Sequence, residues 1–79
     1  MKARVTVTLK TGVLDPKGQA ITGSLKSLGF EGVASVRQGK IFDLDLGDAA
    51  PEDARLALAA MCETLLANTV IENYAIELV

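Results

Sequence analysis

Lys2-Ala3-Arg4-Val5-Thr6-Val7-Thr8-Leu9-Lys10 decides the fold. Ala3, Val5, Val7 and Leu9 fall on one side of an extended chain, and Lys2, Arg4, Thr6, Thr8 and Lys10 on the other. A strict period of two predicts a strand buried on one face and wetted on the opposite one. Such a strand needs a second layer over its apolar face. Moving outward, Thr11-Gly12 ends the strand and Asp15-Pro16 opens a helix. The Asp15 carboxylate suits an N-cap, and Pro16 at the first helical position loses no needed N–H. Ala20, Ile21, Leu25 and Leu28 recur at helical spacing. Gly18 and Gly23 each weaken that helix by about 1 kcal/mol relative to Ala, so it needs tertiary support or the close approach of another backbone. Gly29 stands where a left-handed residue ends a helix.

Farther along, Val33–Arg37 and Lys40–Leu46 read as a hairpin around Gln38-Gly39. Phe42, Leu44 and Leu46 face one way, and Ile41, Asp43 and Asp45 the other. Asp48–Pro51 begins a second helix, with Glu52 and Asp53 in the first turn where the helix dipole favours negative charge. Its apolar stripe is Ala54, Leu58, Met61, Cys62, Leu65 and Leu66. Asn68 is a helix stop, and Val70–Val79 reads as the last strand, with Tyr74, Ile76 and Leu78 on one face. The order strand, helix, strand, strand, helix, strand predicts one domain over residues 1–79. The expected fold is α+β and ferredoxin-like, βαββαβ, a four-stranded antiparallel sheet with two helices on one face.

Composition narrows the function. The chain has 79 residues, 49% of them hydrophobic and 23% charged, which is globular. A chain this short buries only about 60% of its unfolded surface, and its burial barely balances its ordering entropy. Cys62 is the single cysteine and histidine is absent, so neither a disulfide nor a histidine–thiolate metal staple is available. Association with other chains is the remaining support. A formal net charge of −2 gives no electrostatic case for nucleic acid or an anionic membrane. No apolar run has the length of a membrane helix, and the N-terminus shows no signal-peptide core, so a cytoplasmic location is expected.

Catalytic chemistry is sparse. Cys62 sits in an apolar stripe with no histidine to act as base, which describes a packed thiol. Asp43 and Asp45, at i and i+2 on one strand face, are a possible Mg²⁺ or acid–base pair. An alternating strand with a charged outer face is the simpler account of them, with Arg4 and Lys40 as neighbours. Gly29-Phe30-Glu31-Gly32 matches a nucleic-acid GxxG clamp only in outline, because it carries an acid at its centre. The outer face lacks the aromatics of an RNA-binding sheet, and no CxxC is present. Two stretches exceed what packing alone asks for: Arg37-Gln38-Gly39-Lys40, and the run from Leu65 to Tyr74. Tyr74 is the sole tyrosine, a residue enriched at interfaces.

Leu9-Lys10-Thr11-Gly12-Val13-Leu14-Asp15-Pro16-Lys17-Gly18, Val36-Arg37-Gln38-Gly39-Lys40, and the run from Met61 through Cys62-Glu63-Thr64-Leu65-Leu66-Ala67-Asn68-Thr69-Val70-Ile71-Glu72-Asn73 to Tyr74 carry a family likeness. Together they resemble PurS, the small subunit of phosphoribosylformylglycinamidine synthase, over the whole chain. The blocks are V-L-D-P-x-G, V-R-x-G-K and C-x-x-L-L-A-N-x-V-I-E-x-Y. Thr69 and Asn73 depart from the pattern, where proline and an acid are usual.

The resemblance implies a non-catalytic subunit of purine biosynthesis. It would form a homodimer or tetramer and bridge a large synthetase subunit (PurL) and a glutaminase subunit (PurQ). It implies no cofactor in this chain, with ATP and Mg²⁺ held by the synthetase partner. The expected partner contacts are Arg37 and Lys40 for polar pairing, and Asn68, Glu72 and Tyr74 for a second surface. An ACT-like module that binds an amino acid at a dimer interface is the alternative, since such domains share the length and element order.

Overall fold

The computed structural model describes Met1–Val79. Strand β1 (Lys2–Leu9) is central, flanked by β2 (Lys40–Asp45) and β3 (Glu72–Leu78), both antiparallel to it. The period-two reading holds along β1: Ala3, Val5 and Val7 are buried, while Lys2, Arg4 and Thr8 are exposed. Val5 faces Phe42 on one side and Ile76 on the other, so the three strands share one apolar face.

Helix α2 (Pro51–Met61) covers that face. Ala54 and Leu58 in the helix and Cys62 at its end, spaced by four, are fully buried, and Leu58 and Cys62 meet Val5 and Val7 in the core. Pro51 sits at the helix start and Glu52 and Asp53 fill the first turn, as the dipole argument requires. At Cys62–Leu66 the helix widens into a π turn, closed by the Ala67 N–H donating to the Cys62 carbonyl at 3.0 Å. This widening shifts the phase of the apolar stripe. Cys62 and Ala67 stay buried, whereas Leu65, expected in the stripe, is 82% exposed.

Helix α1 (Pro16–Ser27) starts where Asp15 and Pro16 predict, with the Asp15 carboxylate accepting the Gly18 N–H at 2.9 Å. It ends at Gly29, whose φ is +92°, with Gly29 N–H donating to Lys26 and Phe30 N–H to Leu25. That pair of bonds is the Schellman stop.

Two features of the expected fold are corrected. The sheet has three strands in the chain, because Val33–Arg37 joins no ladder. Nor do both helices lie on one face: α2 packs on the sheet, and α1 takes part in no substantial contact with any strand. The reason is the chain's path at Gln38-Gly39. From Phe30 to Gly39 there is no turn or bend. The Gln38 N–H, which a hairpin would need, donates instead to the Asp15 carboxylate at 2.7 Å. Residues 11–39 therefore project from the sheet as an arm, and the molecule measures 48 × 24 × 15 Å.

Candidate functional site

The strand register brings four of the five expected contact residues to one end of the sheet. Lys40 opens β2 opposite Val7, and Glu72 opens β3 opposite Leu9. Both project on the face that carries Val7 and Leu9, so Lys40 Nζ reaches Glu72 Oε2 at 3.6 Å beside the end of β1. The other Glu72 oxygen accepts the Asn68 N–H at 2.7 Å. Asn68 organises the turn into β3. Its carbonyl accepts the N–H groups of Ile71 and Glu72, and its side-chain oxygen accepts the Val70 N–H at 3.2 Å. Tyr74, two residues on, shares the Glu72 side of β3.

The Tyr74 hydroxyl donates to Glu63 Oε1 at 3.0 Å. The nearby carboxylate holds the phenol protonated and raises its pKa above the ordinary tyrosine value, because ionisation would lose the bond and face a like charge. Glu63 carries no signal in the sequence that marks it as part of this site. Only the π turn places it over β3, and no local pattern signals that.

Arg37, the fifth residue, lies in the arm. Its guanidinium donates to the Val13 carbonyl at 2.7 Å and to the Lys10 carbonyl at 3.1 Å. It thereby ties the arm to the turn after β1, and Lys10 N–H in turn donates to the Ile71 carbonyl at 2.9 Å. Asp15 is a second brace: it holds Gly18 and reaches Gln38 across 23 residues of chain. Read only as a helix cap, it also accepts from Gln38, and it is 6% exposed. Two backbone N–H groups, Gln38 first and Gly18 second, hold its carboxyl below the usual range.

Between these braces lies an open cleft of about 410 Å³, lined by Val7, Leu9, Val13 and Ile71 with Lys40 and Glu72 among its polar groups. The remaining candidates have ordinary partners. Asp43 accepts from Arg4 at 2.8 Å across the open face, which draws the Asp43 carboxyl down and the Arg4 pKa up. Asp45 accepts the Gly47 N–H at 3.0 Å. Cys62 is fully buried, and desolvation, reinforced by Glu63, raises its thiol pKa.

A half-covered sheet, an outstretched arm and polar braces around an open cleft define a small α+β module built for contact with other chains. The family model described as PurS, phosphoribosylformylglycinamidine (FGAM) synthase, matches residues 2–79. The chain belongs to this family. It is 51% identical over 75 residues to the phosphoribosylformylglycinamidine synthase subunit PurS of Mycobacterium leprae, covering 95% of this chain and 91% of the relative. The Synechocystis subunit PurS is 49% identical over 77 residues, with 95% of this chain and 75% of the relative covered. Among solved structures, Bacillus subtilis PurS superposes with a TM-score of 0.87 at 43% identity, covering 96% and 94% of the two chains. A chain of PurLQS from Thermotoga maritima superposes with a TM-score of 0.86 at 30% identity, covering 96% and 93%.

Proposed function

We propose that this chain is the small, non-catalytic subunit of a phosphoribosylformylglycinamidine synthase in purine biosynthesis. Its role is to hold a glutaminase subunit (PurQ) against a synthetase subunit (PurL). The observation that carries this reading is the end-to-end likeness to PurS chains, one of which stands in a structure of PurLQS. In this assembly glutamine-derived ammonia passes to the synthetase along a shielded path, since in neutral water it would become ammonium and lose its nucleophilic lone pair. The synthetase partner binds ATP and Mg²⁺ for the conversion of formylglycinamide ribonucleotide to formylglycinamidine ribonucleotide. The location is the cytoplasm, and no helix is long and apolar enough to cross a membrane.

The contact surface on this reading is the braced end of the sheet: Arg37, Lys40, Asn68, Glu72 and Tyr74. Support comes from Lys40 and Glu72, which line one open cleft, from the bonds that link Lys40 to Glu72 and Glu72 to Asn68, and from the exposed apolar side chains Leu65 at 82% and Val70 at 81%. The working form is a homodimer or tetramer. The four-stranded ferredoxin-like layer with both helices on one face is then a property of the assembled subunit.

Reconstitution tests this. The two larger proteins are mixed with and without the chain, and glutamine-dependent turnover is followed. Turnover that depends on the chain, and that falls with Tyr74→Ala or Arg37→Ala while the fold is kept, is the expected result. Full turnover without the chain sinks the reading. Unchanged turnover and complex mass for a variant removes that residue from the surface.

A further inference from the structure

We infer that the cleft between the start of α1 and the end of β1 binds a small organic carboxylate with an aliphatic tail. Three observations carry it.

The first is the floor. The cleft holds about 410 Å³, within the about 300–1,000 Å³ of small-molecule sites. Val7 and Leu9 come from the end of β1, Val13 and Leu14 from the turn that follows, and Ile71 from the approach to β3. All five are aliphatic. Leu9, Val13, Leu14 and Ile71 take no part in the core cluster under α2, and Leu14 and Ile71 are 63% and 39% exposed. An aliphatic tail would remove this surface from water.

The second is the state of the polar groups. Two carboxylates stand in the cleft, and each of their four oxygens already has a donor. Asp15 accepts the Gly18 and Gln38 N–H groups, and Glu72 accepts the Asn68 N–H and faces the Lys40 ammonium. The ammonium groups are in the opposite condition. Lys17, on the α1 wall, joins neither of the chain's ion pairs, which are Arg4–Asp43 and Lys40–Glu72. Lys40, on the facing wall, is committed only across 3.6 Å, longer than an ordinary N–H···O bond, and an ammonium has three donors. The cleft therefore has donors to give and calls for an acceptor. A ligand ammonium would meet only carboxylate oxygens already engaged, which separates this site from one for amino acids.

The third is charge. The chain carries a net −2, yet three cations gather at this end. Lys17 and Lys40 line the cleft, and Arg37 grips the Lys10 and Val13 carbonyls beside it. Only Asp15 and Glu72 oppose them there. A small positive excess suits a single negative charge, and the two neighbouring carboxylates repel a doubly charged phosphate more strongly than a carboxylate.

The site shares Lys40 with the proposed contact surface but does not rest on that reading, and its test uses this chain alone. The ¹⁵N-labelled chain is titrated with butanoate, hexanoate, hexanamide, 2-aminohexanoate and hexyl phosphate, and its amide resonances are followed. Saturable shifts at Val13, Gly39 and Ile71 are expected with hexanoate. Affinity should rise about fourfold per added CH₂ from butanoate to hexanoate, and hexanamide should bind at least tenfold more weakly than hexanoate. Lys17→Gln/Lys40→Gln is expected to weaken hexanoate at least tenfold and leave hexanamide unchanged. The absence of saturable shifts at these amides overturns the site, and so does hexanamide binding as well as hexanoate. Tighter binding of 2-aminohexanoate or of hexyl phosphate than of hexanoate overturns the ligand class. A double variant that binds hexanoate as the parent chain does overturns the role given to the two lysines.

Discussion

Gly18 lies so close to the backbone carbonyl of Val36 that no side chain fits between them. A glycine that looks like a weak point of α1 is thus the place where the helix meets the segment beside it. Gly18→Ala is expected to destabilise by about 1–3 kcal/mol, the range for overpacking a tight contact. Gly23, in the same helix, has nothing near its vacant Cβ position. Gly23→Ala is expected to stabilise by about 0.5–1 kcal/mol. Urea unfolding of the two variants checks the opposite signs, and matching signs would refute the close-contact account.

Asp15 makes the molecule acid-sensitive. Its carboxyl is held below the unfolded value of about 3.9 by the Gln38 and Gly18 N–H groups. A depressed native pKa contributes stability that is fully present above the unfolded pKa and fades as pH falls through the native one. Asp15→Asn is therefore expected to lower the urea midpoint near neutrality, with the gap from the parent chain closing below about pH 4. A gap that stays constant into acid would assign the loss to packing.

Leu58 is fully buried between α2 and β1. Leu58→Ala is expected to cost about 2–5 kcal/mol, a large share of the stability of so small a core. The denaturation midpoint should fall sharply with little change in slope. A loss under about 1 kcal/mol would show that the core is not organised around this residue.

The Cys62 thiol is buried and raised in pKa. Reaction with an aromatic disulfide reagent at mildly alkaline pH is expected to be slow in the native chain and fast in denaturant. The native rate should scale with the equilibrium opening of the fold and rise as denaturant is added. Fast labelling of the folded chain would contradict this burial.

Much of the architecture is written in short-range patterns. The alternation of β1, the Asp15-Pro16 helix start, the Gly29 stop and the Ala54–Leu58–Cys62 stripe all follow from neighbours a few residues apart, and the structure has each of them. Val33–Arg37 shows the limit of such reading. Its composition suits a strand, but a strand exists only where another backbone pairs with it, and the bond from Gln38 to Asp15 that keeps the segment away spans 23 residues. Leu65 fell out of the stripe because one wide turn changed the helix phase, which a fixed period cannot anticipate. The candidate contact residues were recognised singly. Their linkage through Lys40–Glu72 and Glu72–Asn68 depends on strand register.

The unbonded backbone from Glu31 to Arg37 has one more consequence. Amide protons without an acceptor swap with deuterium at a rate set by acidity and temperature, whereas those held in a ladder swap far more slowly. This stretch is therefore a built-in occupancy gauge: whatever lies against it in a working assembly will be written in the labelling of those amides, with no dye or tag attached.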